Sequence, residues 1–117
     1  MTSGVTVTVE RRSAWETAAA EIDRLNRTNP QAGLRRAAEW VEHEAVFGKT
    51  EGLARALRGH GHALRFLGRY SEAVERYKHA KKLFGKLGLN DESTRTNTGY
   101  VAALGSRWAA LREAVEG

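Results

Sequence analysis

Apolar residues recur every three or four positions along most of this chain, the period of one buried face of an α-helix. Trp15, Ala18, Ile22 and Leu25 follow Ser13 and Glu16, a pair in capping-box spacing, and predict a helix over about 13–27. Thr28, Asn29 and Pro30 offer a stop, an N-cap and a proline suited to the first turn of a second helix, with Leu34, Ala37, Val41 and Ala45 inward. Thr50 caps a third helix on Leu53, Leu57, Leu64 and Leu67, which Gly68 ends. Ser71 opens a fourth with Ala73, Val74, Tyr77, Ala80 and Phe84 inward. Asn90 and Asp91 predict the start of a fifth, poor in apolar residues through Thr94, Thr96, Asn97 and Thr98, and Ser106 a short sixth with Trp108, Leu111 and Val115 inward. Before all of these, Val5, Val7 and Val9 alternate with threonine in a strand-like pattern that has no partner run, so residues 1–12 are expected to form a flexible N-terminal tail.

Short stretches return along the chain. Phe47-Gly48-Lys49 recurs as Phe84-Gly85-Lys86, and Leu67-Gly68 as Leu104-Gly105, both 37 positions on. Under the same displacement Trp40 falls on Tyr77, Ala37 on Val74 and Ala73 on Ala110. The expected unit is a helix pair, repeated at about 13–47, 50–87 and 91–116 within a domain spanning 13–117.

Residues 54–87 resemble a tetratricopeptide repeat, with Gly61 as the small residue of the first helix, Leu67-Gly68 as the turn, Tyr70 after it, and Ala73, Tyr77 and Ala80 as the packing face of the second helix. His60 and Arg107 depart from the family pattern, and the closing proline is absent. The style of the segment also looks like the repeat regions of large bacterial proteins. The resemblance implies an all-α superhelix of about three hairpins, and a non-enzymatic adaptor that binds proteins or peptides on its concave side.

Charge adds a direction to that expectation. Residues 1–50 hold seven basic and seven acidic side chains, residues 51–117 twelve and seven, so the whole formal excess of +5 lies in the second part. On the third helix Arg55, Arg58, His62 and Arg65 fall within about 80° of one another, with Phe66 at the border. The resemblance places these five on the concave face, where arginine forks suit carboxylates and the ring suits an apolar side chain. An acidic peptide or terminal carboxylate is the expected ligand, set against the plainer reading that these are solvated arginines. Lys78, Lys82 and Lys86 read as a solvated outer row.

Three other functions are less favoured by the residues. Nucleic-acid binding through the positive half is one alternative; a structural or regulatory segment of a larger bacterial signalling protein is another. Enzymatic activity has no support, since Asp91-Glu92 and Glu42-His43-Glu44 read as caps and surface charges without a nucleophile or phosphate loop nearby. No cofactor or metal site is expected, the histidines being scattered or divergent, and His60 is read as a half-buried side chain bonded to a neighbour. The absence of cysteine and of any long apolar run leads to the expectation of a cytoplasmic protein with no membrane contact. Trp15 and Trp40 are expected in the core, and Trp108 either there or as an anchor for self-association through the last helix.

Overall fold

In the computed structural model, which describes residues 7–116, the described residues form five α-helices and no strand. They are α1 (Val9–Thr28), α2 (Pro30–Ala45), α3 (Glu51–Phe66), α4 (Tyr70–Lys86) and α5 (Asn90–Glu116). Each of α1 to α4 packs against the next, and α3 lies at the centre, touching every other helix. Both α1 and α5 lean on α3 without touching each other.

Local chemistry accounts for most boundaries. Thr8 accepts a hydrogen bond from the Arg11 amide at 3.0 Å and starts α1 at Val9, so Ser13 lies inside the helix rather than capping it. This corrects the expected tail: residues 9–12 are helical because Arg11 and Arg12 are held by Glu44 and Glu51. Val9 is exposed on α1, not part of a strand, Val7 packs against the first core cluster, and Val5 lies outside the described residues. Asn29 accepts from the Ala32 amide and Thr50 from the Leu53 amide, as their positions before α2 and α3 imply. Gly68 and Gly88 adopt φ of +75° and +77° and close α3 and α4 in the same way, with Arg69 N–H donating to Leu64 C=O and Leu89 N–H to Phe84 C=O, both at 2.9 Å.

The third hairpin is absent. One continuous helix runs from Asn90 to Glu116, straight through Leu104-Gly105-Ser106. Gly105 lacks the left-handed backbone that turns the chain at Gly68, and Gly85 likewise lies inside α4. The echoes at 37 residues therefore do not mark equivalent places, whereas the Leu-Gly turn does return at Leu87-Gly88. A sixth helix folding back would need an apolar surface on the first half of α5, and the outward residues there are Thr94, Asn97 and Thr98.

Three adjoining clusters make the core. Trp15, Ile22 and Trp40 dominate the first, Leu57 and Phe84 the second, and Leu64, Val74 and Tyr77 the third. The α4 face is as its period predicts. On α2 the buried stripe is Gly33, Ala37, Trp40 and Glu44, turned slightly from the expected one because Gly33 and Gly52 allow close approach on either side of it. Trp108, expected in the core or as an anchor for self-association, is exposed.

Candidate functional site

Because α1 and α5 flank α3 without meeting, a groove of about 520 Å³ opens between them. Its floor is α3, presenting Arg55, Arg58, Gly59, His62, Arg65 and Phe66; Arg95 of α5 stands on one side and Glu16, Asp23 and Asn26 of α1 on the other. All five expected ligand-facing residues thus share one hollow. Its electrostatics differ from those of a simple basic face.

A ladder of ion pairs crosses the floor. Arg12 of α1 forks onto Glu51, both bonds at 3.2 Å, and Arg55 donates to Glu51 at 2.9 Å and to Glu92 of α5 at 3.2 Å. Arg58 donates to the other oxygen of Glu92 at 2.8 Å. Glu92 was read from sequence as a helix cap or surface charge, yet it neutralises two of the groove arginines and ties α5 to α3. Burial opposes the ionised form of Glu92, but hydrogen bonding from Arg58 and the charges of Arg58, Arg55 and Arg95 outweigh it and hold its carboxyl below the usual carboxylate range.

Arg65 and His62 form a different arrangement at the other end. The Tyr77 hydroxyl accepts from Arg65 Nε at 3.2 Å and lies 2.6 Å from His62 Nδ1. Since Arg65 can only donate, the phenol proton points at Nδ1, and the neutral imidazole carries its own proton on Nε2. Burial, reinforced by Arg65 and Arg58, lowers the His62 pKa to about 4. The Tyr77 ring is fully buried between Gly61 of α3 and Gly99 of α5, where a Cβ would come within 2.9 and 2.7 Å of its carbons. Its phenol is raised by the same burial and stays protonated.

This leaves a few groups free to meet a ligand. Arg65 makes no ion pair among the described residues, Arg95 approaches Glu92 only at 3.9 Å and is otherwise exposed, and half of the Phe66 ring is open to solvent. Asn26 is buried and its carboxamide oxygen, facing Gly33, has no hydrogen-bond partner among the described residues. The sequence reading missed Asn26, Glu92 and Arg95. An asparagine at a core position of the α1 stripe, four residues after Ile22, is the one signal that could have singled it out.

Glu44 is the other buried acid. It accepts from Arg11 at 3.2 Å and from the Trp15 indole at 3.1 Å, joining α1 to α2 rather than standing on the surface as expected. His60 also departs from expectation: its Nδ1 is buried with no partner among the described residues, and burial and Arg76 lower its pKa to about 4. A wider hollow of about 900 Å³ lies along α4, with Arg76, Lys78, Lys81 and Lys82 in its walls. Lys81 there is not a free charge, donating to Asn97 at 2.7 Å and standing 4.5 Å above the Tyr100 ring. No helix among the described residues is long and apolar enough to cross a membrane. No family model, curated protein or solved structure matches the chain.

Proposed function

We propose that this chain is a non-enzymatic, cytoplasmic interaction module of tetratricopeptide type that holds an extended acidic segment of a partner protein in the groove between α1 and α5. The observation that carries the reading is the pairing pattern on the groove floor: Arg55 and Arg58 are spent on Glu51 and Glu92, while Arg65 and Arg95 remain to receive a carboxylate beside the open ring of Phe66. A carboxylate received by either of these arginines gains charge-assisted bonds without breaking the ladder. The test is calorimetry or fluorescence anisotropy on a peptide set graded in acidic content. Wild type should favour acidic members, and Arg65→Glu with Arg95→Glu should weaken them at least about tenfold, the equivalent of about 1.4 kcal/mol. Equal binding by the double variant refutes the groove.

A second reading rests on α4. Lys49, Lys82 and Lys86 border a small hollow with His79, whose pKa is lowered by burial and then by Arg76, Lys49 and Lys82. A positive potential of this kind suits nucleic acid or another polyanion. Affinity for duplex or single strands that falls steeply with salt and is lost in Lys82→Glu with Lys86→Glu would favour it.

A further inference from the structure

The second half of α5 presents five large apolar residues with a regular spacing. Val101, Leu104, Trp108, Leu111 and Val115 follow one another at intervals of three, four, three and four, and lie within about 80° of arc. This is the spacing of a coiled-coil seam. Val101, Trp108, Leu111 and Val115 are 55%, 65%, 55% and 87% exposed, and only Leu104 is partly covered by the third core cluster. The residues that fix α5 to the body, Thr96, Gly99 and Ala103, lie about 100° to 160° around the helix from the centre of the stripe, so the seam faces away from the body.

The order of residues says what fits it. Val-Leu-Trp-Leu-Val reads the same in both directions about Trp108. Set antiparallel to itself, the stripe places Val101 opposite Val115 of the other copy, Leu104 beside Leu111 and Trp108 against Trp108, a self-complementary match about a twofold axis. Charge favours the same orientation. A parallel pair would set Arg107 across from Arg112 twice, while the antiparallel pair sets Arg112 across from Gly105 and leaves a single approach of Arg107 to its copy.

We propose that two copies of the chain associate through an antiparallel pairing of the second halves of α5, centred on Trp108. This surface is separate from the groove and stands independently of what the groove holds. The stripes bury on the order of 800 Å² in total, less than the roughly 1,200–2,000 Å² of stable specific interfaces, so the dimer is weak and its population follows concentration.

Sedimentation equilibrium from low to high micromolar concentration tests the association, and engineered thiols test its orientation. Wild type should pass from monomer to dimer, and Trp108→Glu, on a residue without core contacts, should stay monomeric with unchanged circular dichroism at the same concentrations. The chain has no cysteine of its own. A mixture of Val101→Cys and Val115→Cys chains should therefore give a mixed disulfide on mild oxidation that neither gives alone. A wild type that is monomeric throughout, a dimer unaffected by Trp108→Glu, or Val115→Cys chains that cross-link to each other would each overturn the proposal.

Discussion

Lowering the pH from about 7 to about 5 should destabilise the folded chain through His62. The unfolded side chain takes a proton near its ordinary 6.5, and the folded one only near about 4, because burial and then Arg65 and Arg58 oppose the charge while Asp23 on α1 offsets little of it. Between those values the unfolded state binds the extra proton, so stability falls as pH falls and the loss levels off below about 4. Integrating the two titration curves from about pH 7 to about pH 5 gives about 2 kcal/mol, roughly thirtyfold in the folding constant. Tyr77 reinforces the effect, since a proton on Nδ1 would turn the phenol O–H away from its acceptor. His60, whose pKa is also lowered to about 4, titrates in the same direction, so the measurement is a difference: urea unfolding of wild type and His62→Gln at both pH values, with His62 followed by NMR. Wild type should lose about 2 kcal/mol more than the variant. Equal losses, or a His62 midpoint near 6.5, would refute the reasoning.

Other expectations follow from packing and turns. Gly99→Ala pushes a methyl group into the Tyr77 ring and should cost about 1 to 3 kcal/mol in urea unfolding. Gly85→Ala, with open space around its Cβ and a helical backbone, should stabilise by about 0.5 to 1 kcal/mol, whereas Gly88→Ala, at a φ of +77°, should destabilise by about 1 kcal/mol. Opposite signs at these two neighbouring glycines would confirm which of them turns the chain. Glu44→Ala strands the buried Trp15 indole N–H and should lower stability by about 2 to 4 kcal/mol, seen as a fall in the thermal midpoint.

The first four helices were legible because each carries an apolar stripe and a recognisable cap or stop: Asn29 with Pro30, Thr50, and Leu67-Gly68. The start of α1 was misread because Ser13 and Glu16 have capping-box spacing. The cap that forms is Thr8, favoured by long-range pairing of Arg11 and Arg12 that no local pattern displays. The two echoes at 37 residues misled for a similar reason. A Leu-Gly or Phe-Gly dipeptide does not state its backbone conformation, and whether the chain turns there depends on what a returning helix would cover. At Leu67-Gly68 that surface is apolar; at Leu104-Gly105 it is threonine and asparagine. Within the groove, helical spacing brought Arg55, Arg58, His62, Arg65 and Phe66 onto one face, but their state depends on Glu92 and Tyr77, which come from other helices and become neighbours only on folding.

Tyr77 has a consequence for how the molecule comes apart. One ring from α4 rests on glycines of both α3 and α5, so neither helix can peel from α4 without opening a void around a phenol that also orders His62 and Arg65. Layer-by-layer melting, natural to stacked hairpins, is thereby suppressed over this span. Amide hydrogens of α3, α4 and the first half of α5 should exchange together as one cooperative block, while those beyond Leu104 in the monomer fray on their own.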